Sequence, residues 1–169
     1  MLKSHEDVLQ QAIDLLEGMD VVEFTQVLAP SFSSSIGQHL RHVLDHYVNL
    51  MDGVTANHIN YNIRQRHCVL ESSPEHASVV CKRLQKWLQN IEPAALSQVV
   101  TVESEVSVTQ TESVVVQSSL GRELMFVTSH AIHHYALIKI IRHMQAKSVP
   151  EHFGVAPATL TYMQTHQAS

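Results

Sequence analysis

Residues 118–146 read SSLGRELMFVTSHAIHHYALIKIIRHMQA, and this stretch decides the fold. Ser118 and Ser119 are good helix caps, and no proline follows until Pro150. The run therefore predicts a helix from Leu120 to about Ala146. On a wheel of about 100° per residue with His130 at the origin, His134 lies at about 40° and Val127 at about 60°. Leu120 and Ile138 lie at about 80°, Ile141 and Glu123 at about 20°, and Leu137 at about 340°. His130 and His134 thus stand in the middle of an apolar stripe, with His133 at its edge and His143 on the polar side. Imidazoles four residues apart have Cβ atoms about 5–6 Å apart, so both can reach one ion at about 2.0–2.1 Å.

Further helices follow outward from this one. Val8, Ile13, Leu15, Leu16 and Met19 recur at helical spacing, after Ser4 as a candidate cap and Glu6 and Asp7 in a first turn. That pattern extends toward Val27 and ends at Pro30. After Ser33, Ser34 and Ser35, the residues Ile36, Leu40, Val43, Tyr47, Leu50 and Val54 predict a second helix. Residues 57–72 read as irregular. Ser72 or Ser73 with Pro74 opens a third helix through Ala77, Val80, Cys81, Leu84, Trp87 and Leu88, closed by Pro93. Valines mixed with Thr, Ser and Glu between Leu96 and Gln117 predict a β-hairpin. A short helix is expected after Pro157. The expected class is all-α with a small β-hairpin: one domain over residues 1–169, built as a four-helix bundle.

The second helix carries its own row of imidazoles, His39, His42 and His46. With His42 at the origin, His46 falls at about 40° and His39 at about 60°, beside a stripe centred at about 120°. One row can supply two ligands and the other a third, and three neutral imidazoles with open positions match a catalytic metal site. In the competing reading, His134 is a hydrogen-bonded core residue and His39 and His46 face solvent. Asp45 and Glu123 are candidate orienting acceptors for the imidazoles. Arg64 and Arg66, alternating in an irregular segment, are candidates to bind a substrate carboxylate. Tyr135 and Trp87 read as packing residues.

Composition bounds the rest. The chain has 169 residues, 13 histidines against 11 Lys and Arg together, and a formal charge of -5. That acidic balance argues against a nucleic-acid partner. Cys68 and Cys81 are too few and too far apart for a disulfide framework or a zinc knuckle. No secretory leader and no membrane span is read from the apolar runs, so a reducing cytoplasm is expected.

Residues Ser35 to Tyr47 resemble the second helix of DinB-like proteins, the DinB/YfiT superfamily of metalloenzymes. Ser118 to Leu124 leading into Ser129 to Tyr135 resemble that family's last bundle helix, and Asn62 to Arg66 and Phe153 to Pro157 resemble segments of one bacterial branch. The resemblance implies up-down-down-up topology and a divalent metal held by His42, His130 and His134. His39 and His46, nearer the apolar face on the wheel, stay open as alternatives to His42. It further implies a homodimer and chemistry on a small-molecule substrate or low-molecular-weight thiol, as an S-transferase, isomerase or hydrolase. Zinc or nickel, with iron or manganese as alternatives, suits imidazole donors. A non-catalytic metal- or ligand-binding stress module, and a helical dimer whose histidines respond to pH, are the competing functions.

Overall fold

The computed structural model describes residues 2–166. Its elements are α1 (Leu2–Leu16), α2 (Val21–Thr25), α3 (Ile36–Ala56), β1 (His58–Asn60), α4 (Pro74–Gln89), β2 (Val99–Glu105), β3 (Ser113–Ser119), α5 (Leu120–Met144) and α6 (Pro157–His166). Two short 3-10 turns, Val69–Glu71 and Pro93–Ser97, precede α4 and β2. Caps set several helix starts. Ser35 accepts from the Gln38 amide while the Gln38 side chain accepts from the Ser35 amide, a reciprocal box. Ser73 and Ser119 cap α4 and α5, with Pro74 in the first turn of α4. Ser4 caps nothing, because α1 is already helical from Leu2. The first helix also stops at Leu16, where Gly18 takes φ +70°, and α2 restarts from an Asp20 cap.

The four long helices pack α1 on α4 and α3 on both α4 and α5. Their shared core contains Leu9, Ala12, Leu40, Leu44, Leu84, Leu88, Leu124 and Ile138, none of which is exposed to solvent. Tyr135 stacks on Phe153 inside this core, with ring centroids 5.0 Å apart.

The sheet changes the fold class. In place of a lone hairpin there is a three-stranded mixed sheet in the order β1-β2-β3. β1 runs parallel to β2, pairing Ile59 with Val102, and β2 runs antiparallel to β3, pairing Val102 with Val116. The all-α, up-down-down-up four-helix-bundle expectation is therefore corrected to helices plus a mixed sheet. Residues 58–60 looked irregular because three residues carry no period, and only the distant β2 shows them to be a strand. Gly53 lets α3 approach this strand, since a Cβ there would stand 2.6 Å from the His58 carbonyl oxygen and 2.8 Å from the Ile59 Cα.

By length and composition α5 is long and apolar enough to cross a membrane, against the sequence expectation. Part of that apolarity serves the core, which encloses Leu120, Leu124, Val127, Ala131, Ile138 and Ile141, while Met125, Ile140 and Met144 are exposed.

Candidate functional site: an imidazole cluster beside a guanidinium loop

Helices α3 and α5 bring five imidazoles together. Ring centroids lie 4.9 Å apart for His42 and His130, 4.8 Å for His42 and His134, and 4.6 Å for His130 and His134. His46 sits 4.6 Å from His42 and 4.4 Å from His130, and His39 sits 5.3 Å from His134. His46 is buried, while His39, His42, His130 and His134 are half-buried; His133 and His143 point outward. The α3 row lies on the helix flank, as the wheel put it, and that flank meets α5 and the 61–68 loop, which overturns the reading with His39 and His46 facing solvent. His130 and His134 sit at the edge of the buried face of α5 rather than in its middle.

Hydrogen bonding assigns the protons. The Arg64 guanidinium has only donors, so the His42 Nδ1 3.2 Å from it is an acceptor. The neutral ring then carries its proton on Nε2 and donates it to His130 Nε2 at 3.0 Å. His46 donates from Nδ1 to the His42 carbonyl at 2.9 Å, which leaves its Nε2 as a lone pair. His39 and His134 share one proton between their Nδ1 atoms at 3.0 Å, and His39 Nε2 is buried without a partner.

Burial keeps these rings neutral. It lowers His42 to about 2, helped by the positive charge that His46, His134, His130 and Arg64 would place beside it. Burial likewise lowers His130 to about 4 and His134 to about 3, again assisted by neighbouring imidazoles. His39 and His46 are shifted down for the same leading reason. The cluster is a set of uncharged nitrogen donors at neutral pH.

Among the described residues, the donor atoms that converge are those of His42, His46 and His130, all within 4.8 Å of one another. His134 is engaged with His39 and stands beside this group. A cavity of about 340 Å³ opens over the cluster, lined in part by His39, His42, His134, Arg41, Arg64 and Arg66.

The two candidate orienting carboxylates do other work. Asp45 accepts from Arg41 at 3.0 Å and from the Gln65 amide at 3.3 Å, and its charge acts on His46 without a hydrogen bond to it. Glu123 accepts from the Tyr61 hydroxyl at 2.9 Å and the Ser118 hydroxyl at 2.5 Å. Tyr61 in turn stacks on His46 at 5.3 Å and 20°, so Glu123 reaches the cluster through that ring. Burial and the facing Glu123 carboxylate push the Tyr61 hydroxyl far above its ordinary range, keeping it a donor.

Sequence reading missed Tyr61, Arg41 and Glu71. Arg41 lies one helical turn before Asp45, and that i, i+4 pairing was the available signal. Its second bond, 2.9 Å to Glu71, joins α3 to the 3-10 turn before α4.

No family model matches the chain. It is 34% identical over 106 residues to FK506-binding protein 5 of Rhizopus delemar. The match covers 63% of this chain and 28% of that protein, so the chain spans less than a third of the relative's length. This finding corrects the assignment to the DinB-like family, and with it the metal-dependent transferase, isomerase or hydrolase and the metal-binding stress module drawn from it. The relative at hand is an FK506-binding protein, and the fold carries a mixed sheet.

Proposed function

We propose that the chain binds a small organic ligand in the cleft over the imidazole cluster. The observation that supports this is the cavity of about 340 Å³, in which uncharged imidazoles adjoin the guanidiniums of Arg64 and Arg66. Neutral ring nitrogens accept or donate single hydrogen bonds, and the guanidiniums attract an anionic group. The relative's name supports the same kind of function, because it describes binding of FK506, a small molecule. A peptide is the alternative occupant.

A divalent cation is the proposed cofactor beside that cleft, sharing His42 with its wall. His42, His46 and His130 fit as ligands: their donor atoms lie within 4.8 Å, and tetrahedral imidazole coordination sets nitrogens about 3.3 Å apart. When bound, such an ion supplies a Lewis-acidic positive centre. His42 can donate its Nε2 lone pair only with its proton moved to Nδ1, which gives up the Arg64 contact.

The ligand reading is tested by following imidazole ring resonances while untagged protein is titrated with acetate, benzoate or FK506. Saturable shifts at His42 and His134, with the His134 shift lost in His42→Ala, support it. Rings that respond to none of the three probes overturn it. Metal analysis of the same preparation, beside His130→Ala, tests the cofactor: substoichiometric metal in the wild type, or full retention in the variant, rejects the ion.

A further inference from the structure

A second cavity, also about 340 Å³, lies next to the first and is lined by Asn62, Arg64, Arg66 and Glu105. Arg64 and Arg66 line both cavities. Among the described residues, Arg66 has no hydrogen-bond or ion-pair partner, and the Glu105 carboxylate has none either. Arg64 spends one N–H on His42 and keeps its other donors. Opposite charges therefore face one cavity without pairing across it.

The backbone that carries them is firmly tied. Asn62 accepts the Glu105 amide at 2.7 Å and donates to the Ser113 hydroxyl at 2.9 Å, joining the loop to the ends of β2 and β3. Asn49 of α3 donates to the Ile63 carbonyl at 2.9 Å, and the Gln65 amide donates to Asp45. Residues 62, 63 and 65 are each held, so the guanidiniums at 64 and 66 project from a backbone whose position is set before any ligand arrives. Asn62 also fixes Glu105 relative to that loop, because the same side chain bonds the Glu105 amide.

We propose that this second cavity is a subsite for a zwitterionic α-amino-acid head group, its carboxylate on Arg66 and Arg64 and its ammonium on Glu105. A guanidinium matches a carboxylate through parallel N–H bonds, and an ammonium needs an acceptor of opposite charge. A simple anion would leave Glu105 facing like charge, and a simple cation would meet two guanidiniums. Only a ligand carrying both charges satisfies all three side chains at once. The rest of such a ligand, continuing past Arg64, enters the imidazole cavity, so the inference deepens the ligand-binding reading and rests on it for that part alone.

The test uses the full chain and three probes, glycine, acetate and methylammonium, followed at the backbone amides of Asn62 and Glu105. Glycine is expected to bind at least about fivefold more tightly than either singly charged probe. Glu105→Gln should abolish that preference while acetate still binds, and Arg66→Gln should weaken glycine and acetate together. Both positions are exposed, and unchanged thermal unfolding confirms that the variants fold. Equal binding of acetate and glycine by the wild type overturns the proposal, as does the absence of any shift at these amides. Because the readout is at residues 62 and 105, a silent imidazole cluster with a responsive loop would reject the cleft reading and leave the subsite standing.

Discussion

Replacing Arg41 with methionine probes the tie that holds the guanidinium loop against α3. The Arg41 side chain is 10% exposed and bridges Asp45, 6% exposed, and Glu71, 13% exposed. Removing one partner of a buried ion pair costs about 3–5 kcal/mol, because the remaining charge stays in a poorly solvated site. Here two carboxylates would be stranded, although the Gln65 amide still serves Asp45. The expected loss is thus about 3 kcal/mol by the same reasoning. Urea unfolding of wild type and Arg41→Met at equal pH measures it, with the urea slope checked for constancy. The triple variant Arg41→Met, Asp45→Asn, Glu71→Gln removes the stranded charges and should recover most of the loss. A single variant within about 0.5 kcal/mol of wild type would refute the reasoning, as would a triple variant no more stable than the single one.

Other perturbations have defined outcomes. Since His42, His130 and His134 are held below their ordinary value, the stability they contribute is complete above about pH 6.5 and is lost as the pH falls from there through about 4 for His130, about 3 for His134 and about 2 for His42. Unscreened, each would account for about 2 kcal/mol between pH 7 and 5; halved for partial solvent access, the three give about 3 kcal/mol. Urea midpoints at the two pH values read this, and equal midpoints would count against neutral buried rings. Gly37→Ala places a Cβ against the Glu71 carbonyl oxygen and 2.8 Å from Phe24 Cε1, so a loss of about 1–3 kcal/mol is expected in thermal unfolding despite alanine's better helix propensity. Tyr61→Phe strips one donor from the buried Glu123 carboxylate and should cost about 1.5–3 kcal/mol, with the His46 ring resonances displaced. Unmoved His46 resonances would show that the stacking does not orient that ring.

The helices were legible where local chemistry marks them. Ser35 with Gln38, Ser73 with Pro74, and Ser119 before Leu120 each satisfy free amides of a first turn, and the apolar period behind them needs no information from elsewhere. The break at Gly18 was less visible, because apolar residues continue past it and the positive φ belongs to a single residue. The two histidine rows were legible as rows. Which imidazoles meet was not: His46 reaches the cluster because α3 turns its flank toward α5, and His39 pairs with His134 across ninety-five residues.

From the chain alone came the long helices, their caps, the valine-rich hairpin and the two rows of imidazoles, all consequences of interactions spanning a few residues. Tertiary structure decided the parallel strand at His58–Asn60, the Arg41 bridge, the Tyr61 link to Glu123 and the lowered basicity of the rings. Strand pairing and desolvation depend on groups far apart in sequence, and no local period records what will come to rest beside a given side chain.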